Sequence, residues 1–280
     1  MSGKLADRYL EKSHERNRAA LARKLTKVTM LRRIRPTSLS TVFLNTLSER
    51  RIVDAEGIRV FIDPSTHLGH TILKSGSYEP ETIRLFRKKL NPGDVFLDIG
   101  ANEGFFTVLG ASLVGAQGKV IAIEPQSRLL DVLEINVALN AHCPVSIIQR
   151  AVGDEDGLPL EITLFPISNT GASSLVRKYR FGASTEQVET ITVASIFVEA
   201  GTERVDFVKI DVEGYEPEVV RSMTQLLAER RIGALLVDYH RAILDSRGIN
   251  PLDTHRLILS HGYTVEEGQP ETGYVLYVTA

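Results

Sequence analysis

The stretch Asp98-Ile-Gly-Ala-Asn-Glu-Gly104, with Glu124 further on, holds the clearest chemistry in this 280-residue sequence. An apolar run of strand length, Val95–Ile99, precedes it. A helical stretch, Gly104–Leu113, and a second strand, Gly118–Glu124, follow. In such a β-α-β unit a ligand sits over the glycine turn, at the carboxyl end of the strand. No Gly-Lys-Ser/Thr follows, so this is not a phosphate-cradling P-loop. Asn102 stands where a dinucleotide fold has the second glycine of G-x-G-x-x-G, which lets the backbone approach a pyrophosphate, so the nicotinamide reading is weakened. An acidic residue ending the second strand, Glu124, is the expected partner of two ribose hydroxyls. A nucleoside without phosphate, carrying an amino-acid end and a sulfonium, fits these constraints: S-adenosylmethionine. On that reading Gly100 frees the turn and Gly104 lets the helix start close to the cofactor. Asp98 holds the turn or faces the ammonium.

The elements that must position these residues alternate. Val145–Gln149 reads as a third strand, Val205–Ile210 as a fourth and Ile232–Val237 as a fifth, with helices over Ser127–Asn140, Glu216–Glu229 and Pro251–Ser260. Tyr263–Val265 and Tyr274–Val278 close the chain as strands. The predicted fold class is α/β: a doubly wound, Rossmann-like, mostly parallel sheet. Upstream, Arg51–Val53 and Ile58–Ile62 flank Asp54-Ala-Glu-Gly57 as a hairpin, and residues 80–90 read as a helix that begins at Pro80. Three parts are expected: a basic helical arm (1–36), a pre-domain of hairpin and helix (37–91), and a cofactor-binding domain (92–280) with a long insertion at 153–204.

These motifs resemble the FkbM family of S-adenosylmethionine-dependent methyltransferases. The matching stretches are Tyr78-Glu-Pro80, Pro92 to Thr107, Ile123-Glu-Pro125, Arg150 to Asp154, Gly171 to Leu175, and Val208-Lys-Ile-Asp-Val-Glu-Gly-Tyr-Glu216. The resemblance implies a class I methyltransferase sheet with an antiparallel last strand, and O-methylation of a sugar, glycoconjugate or natural product. It also implies site roles. Asp98, Gly100, Ala101, Asn102 and Gly104 line the methionine part of the cofactor, and Glu124 binds the ribose. Pro125 and Gln126 sit near the adenosine, Ala151 and Val152 flank the adenine with Asp154 close by, and Glu79 stands on the cofactor side.

Such a cofactor brings its own leaving group. The protein must therefore align an acceptor hydroxyl, take its proton and exclude water. The groups for this fall at the ends of strands four and five: Lys209 and Asp211, then Asp238 and His240. Asp211 is the first choice as a catalytic or substrate-orienting group, and it also counts among the cofactor contacts. His240 is second, with a strand-end histidine bonded to a carboxylate as the plain alternative. Lys209 is expected to pair with Asp211 or Glu213. Asp211, Asp238 and His240 could ligate a metal, but their spacing is no metal signature, so none is expected. His67 and His70 fall in a Gly-containing stretch that reads as a solvated loop. Residues 169–180 read as a substrate lid.

Charge is split along the chain. Residues 1–35 carry +8 and the remainder −10. The basic segment is expected to serve dimerisation or contact with an anionic membrane or glycolipid. Nucleic acid is a poor fit, because no aromatics interleave the charge beyond Tyr9. The single cysteine, Cys143, and the lack of a long apolar run suggest the cytoplasm, with peripheral contact at the membrane's inner face. The acceptor is expected to be a small molecule, glycan or glycolipid. Two other readings stay open: a non-catalytic scaffold that binds the adenosyl cofactor, and a nicotinamide-dependent oxidoreductase or epimerase.

Overall fold

The computed structural model describes residues 50–140, 142–164 and 184–280. The basic arm and the expected lid at 169–180 lie outside the described residues. Strands β1 (Arg51–Ala55) and β2 (Ile58–Ile62) form the expected hairpin. Its turn is tighter than Asp54–Gly57: only Glu56 and Gly57 are outside the strands, both at positive φ, as a two-residue turn matched to strand twist requires.

Helix α1 (His67–Ser75) occupies the stretch expected to be a loop. The Thr66 hydroxyl caps it by accepting from the Gly69 amide, and Gly76 closes it in the left-handed conformation. The signal was present in Ser65-Thr66, but two histidines and a glycine mask the helical period. Helix α2 (Pro80–Lys89) follows as expected, with proline in its first turn.

The main sheet is built from β3 (Val95–Ile99), β4 (Lys119–Ile123), β5 (Val145–Ile148), β9 (Val205–Ile210), β10 (Ile232–Asp238), β11 (Tyr263–Gly268) and β12 (Tyr274–Thr279). Their order is β11-β12-β10-β9-β3-β4-β5, parallel from β10 through β5, with β12 antiparallel to both neighbours. The chain thus has the Rossmann-like class I methyltransferase fold with a hairpin extension. Helices α3 (Phe105–Val114), α4 (Ser127–Asn140), α6 (Glu216–Ser222), α7 (Thr224–Ala228) and α9 (Pro251–Ser260) accompany these strands. The expected single helix over 216–229 is broken at Met223. β6 (Ala151–Val152), just before the insertion, joins β7 (Pro159–Leu164) and β8 (Ser184–Ile191) from within it in a small sheet ordered β6-β8-β7. Helix α5 (Val193–Glu199) was not foreseen: β8 stops at Ile191, and Thr192 caps the helix by accepting from the Ser195 amide. Helix α8 (Arg241–Ser246) was not foreseen either.

Alternation along the strands feeds two cores. Leu97, Ile99, Val208 and Ile210 join one side, while Phe96 and Phe207 join the other with Phe86 of α2. That second core also holds Val60, Ile62 and Ile72, so hairpin, α1 and α2 pack on the sheet continuously. The hairpin is pinned by polar groups too. Asn136 of α4 accepts from the Phe61 amide at 2.6 Å, and Asn140 bonds both the amide and the carbonyl of Arg59 at 2.9 and 2.7 Å. Two buried asparagines thus satisfy backbone groups of β2 that β1 leaves open.

Candidate active site

The turn after β3 leads a cavity of about 390 Å³, within the range of small-molecule sites. Gly100 has φ +86°, and a Cβ there would sit 1.9 Å from the carbonyl oxygen of Asp211. The glycine is therefore required by the close approach of β3 and β9 as well as by the turn. Asn102 follows at φ +52° and turns its amide to Glu124.

Glu124 is the most constrained group on the cofactor side. It is buried, and its two oxygens accept from the amides of Asn102 at 2.8 Å and Gln126 at 2.9 Å. Burial raises its pKa to about 7 against these hydrogen bonds. It lines the cavity with Gly100, Asn102, Pro125, Gln126, Ala151 and Val152, all predicted from the sequence, and Glu79 and Asp211 lie on the same wall.

Three predicted cofactor residues do not line it. Asp98 is fully buried and accepts from the Thr107 hydroxyl at 2.6 Å, so it anchors the first turn of α3. Ala101 is buried beside Ala122 and Leu133. Gly104 opens α3 at φ +88°, but its tight neighbour is Leu133 of α4, 2.4 Å from a Cβ placed there. The closeness it provides is helix to helix rather than helix to cofactor. Asp154, expected near the adenine, pairs instead with Arg221 at 3.0 Å on the surface.

Asp211, Asp238 and His240 all line the cavity, at the carboxyl ends of adjacent strands β9 and β10. Lys209 does not. It lies buried beneath them, 3.0 Å from Asp211 and 3.9 Å from Asp98, with its ammonium over the Phe106 ring. Burial works against the Lys209 charge, but Asp211 and Asp98 outweigh it and hold the pKa above its ordinary value. Burial pushes Asp211 up, but Lys209 and His240 prevail and hold it below the usual carboxylate value. Asp238 is raised to about 6 by burial and by the Asp211 charge. It makes no hydrogen bond to a described residue, so its lone pairs are free.

His240 Nδ1 lies 2.7 Å from Glu216, and Nε2 lies 3.7 Å from Asp211 and 3.6 Å from Glu213. Burial alone would lower its pKa. The Glu216 hydrogen bond and the charges of Asp211 and Glu213 raise it to about 10. These contacts favour the protonated imidazole at neutral pH, and the bond to Glu216 is that of a strand-end histidine held by a carboxylate. Atoms of Asp211, Asp238 and His240 lie within 4.8 Å of one another, close enough to gather round one cation.

Sequence reasoning passed over several lining residues. His67, set aside as a loop residue, stands at the cavity from the start of α1, edge-on to Tyr78 at 5.9 Å; His70 does not line it. Arg150 and Tyr215 line it too, both inside quoted motifs but given no role. Glu79, Asn102 and Glu213 are non-glycine residues at φ +46°, +52° and +51°, and all three face the cavity. Backbone strain of this kind gathers where side chains must be aimed.

The cavity suits a cationic cofactor without phosphate. Among the described residues its carboxylates are Glu79, Glu124, Asp211, Glu213 and Asp238, against the Arg150 guanidinium and the His240 imidazole. A pyrophosphate would meet no cationic cradle at the glycine turn, whereas a sulfonium and an ammonium meet carboxylates. Glu124, aimed into the cavity with lone pairs left over, fits the ribose of S-adenosylmethionine.

Comparison with known proteins agrees with this chemistry. Residues 98–265 match the methyltransferase FkbM domain. A hexuronic acid methyltransferase, AglP, of Haloferax volcanii is 28% identical over 184 residues, covering 64% of this chain and 67% of that protein. The methyltransferase sdnD of Sordaria araneosa is 32% identical over 164 residues, covering 48% of this chain and 62% of that one. The match thus spans about two thirds of each relative. Among solved structures, Aeropyrum pernix fibrillarin with bound S-adenosylmethionine aligns at a TM-score of 0.41 and 13% identity, covering 82% of each chain. With the FkbM domain matched over most of its length, the chain belongs to the FkbM methyltransferase family, and its cofactor is S-adenosylmethionine.

Proposed function

We propose that this protein methylates a hydroxyl oxygen of a sugar or sugar-like small molecule. The observation that carries this reading is the carboxylate of Asp238 at the cavity, beside Asp211 and His240 and without a hydrogen bond among the described residues. The cofactor supplies, when bound, an electrophilic methyl group on a sulfonium that is its own leaving group. What the chain must add is position and a proton acceptor. Glu124, Asn102, Gln126, Ala151 and Val152 hold the nucleoside end, and the carboxylates of Glu79 and Asp211 face its cationic groups. Asp238 takes the hydroxyl proton. Its pKa of about 6 leaves it ionised at neutral pH yet closer to the acceptor's needs than an ordinary aspartate. Asp211, tied to Lys209, orients the acceptor, and the charged His240 keeps the neighbouring carboxylates from repelling one another.

A sugar acceptor agrees with the polar walls, where His67, Tyr78, Arg150 and Tyr215 offer hydrogen bonds and aromatic edges. It also agrees with the likeness to a hexuronic acid methyltransferase. Asp238→Asn tests the assignment. It should lower kcat by about 10²–10⁴ and remove a limb on which rate rises with pH through about 6. Affinity for S-adenosylhomocysteine, measured by calorimetry, should stay within a few-fold. Full turnover in this variant would refute the role.

A further inference from the structure

Glu216, the last residue of the Val208–Glu216 motif, has entered so far only as a neighbour of His240, yet its side chain is fully buried. A carboxylate in such a place is costly unless its lone pairs are used. One oxygen, Oε1, accepts from the Gly214 amide at 2.9 Å and lies 2.7 Å from Nδ1 of His240. It therefore ties the loop that carries Glu213 to the histidine at the end of β10.

We propose that Glu216 is a positioning residue of the transfer site, fixing the His240 ring so that Nδ1 is always the inward donor and Nε2 the atom presented to Asp211 and Glu213. The inference rests on the methyl-transfer reading only for its consequence in turnover. Oε1 already accepts from the Gly214 amide, so it meets Nδ1 as an acceptor, and Nδ1 carries the hydrogen whether the ring is neutral or charged. Every proton gained or lost by His240 then passes through Nε2, which faces the cavity side of the cluster. Glu216 also anchors half of the imidazolium charge away from the acceptor. Without it the ring could turn over and present Nδ1, and the loop at Gly214 would lose its anchor. Three carboxylates act on the ring directly: Asp211 just after β9, Glu213 from the following loop and Glu216 from α6. Asp238 of β10 responds to the ring's charge, Lys209 of β9 acts on Asp211 and Asp238 beside it, and Glu79 before α2 acts on Asp238.

Two measurements test this on the full chain with S-adenosylhomocysteine bound. In the wild type, nitrogen chemical shifts of the His240 ring should show Nδ1 protonated throughout and Nε2 titrating; titration at Nδ1 would overturn the proposal without any variant. In Glu216→Gln the His240 pKa should fall by at least about one unit, a tenfold change in protonation equilibrium, with cofactor affinity unchanged. With an acceptor in hand, kcat should fall about 10–100-fold while KM for the cofactor holds and the pH profile shifts. The same substitution in a His240→Asn background should add little, since Glu216 acts through His240. An unshifted His240 pKa, or equal losses in both backgrounds, would overturn the role. The ring readouts need no acceptor, so failure to find methyl transfer would count against the proposed reaction and not against Glu216.

Discussion

Glu124 shows how one buried side chain links cofactor recognition to pH. Its pKa of about 7 lies above the ordinary 4.5, so the cofactor-free fold binds this proton more tightly than the unfolded chain does. The stability it contributes is complete below about pH 4.5 and is lost as pH rises through about 7, on the order of 3 kcal/mol. Ribose hydroxyls that donate to the ionised carboxylate reverse this preference. Affinity for S-adenosylhomocysteine should therefore strengthen as pH rises through about 7. Glu124→Gln should flatten that dependence and weaken binding about 10–100-fold, the loss of a charge-assisted hydrogen bond. Calorimetry at several pH values reads both effects, and a pH-independent wild type would contradict this role. Glu124 was legible in the sequence because strand, turn and acidic residue fall at a fixed spacing. His240 was legible as a site residue but not in its charge state. That depends on Glu216 and Glu213, which fold back onto it from a loop whose path a linear sequence does not state.

The elements behave unequally in the same respect. Strands β3, β4, β9 and β10 were readable because they are continuous apolar runs, and the glycine turn because it interrupts them. Helix α1 and helix α5 were not, since each depends on a threonine cap that overrides a weak local pattern. The break at Met223 falls within a single helical period and leaves no proline or glycine to announce it. Asp98 and Gly104 were assigned to the cofactor because motif membership cannot separate a group that faces a ligand from one that holds the turn beneath it. The junction of β3 and β9 is the element on which both halves of the site depend. Gly100→Ala would drive a Cβ into the Asp211 carbonyl and force a side chain onto φ +86°. It should cost about 2–4 kcal/mol in denaturant unfolding and displace Asp211. Wild-type stability in that variant would show that the approach of the two strands is looser than described.

At the scale of the whole molecule, the charge split gains a partial explanation. The acidic body includes five carboxylates gathered at one cavity, facing a cofactor that carries positive charge. In the proposed reaction cofactor and proton acceptor meet because parallel strands deliver their carboxyl ends to one edge of the sheet, with β9 between β3 and β10. The central claim is transfer of a methyl group to a hydroxyl oxygen. It is tested most directly by incubating the full chain with isotopically labelled S-adenosylmethionine and a panel of sugars, uronic acids and glycoconjugates, and locating the label by mass spectrometry. The account predicts a labelled methyl ether on a hydroxyl of a sugar acceptor, formed by the wild type and strongly diminished in Asp238→Asn. Label found on nitrogen or carbon, or an ether formed equally well without the Asp238 carboxylate, would contradict it.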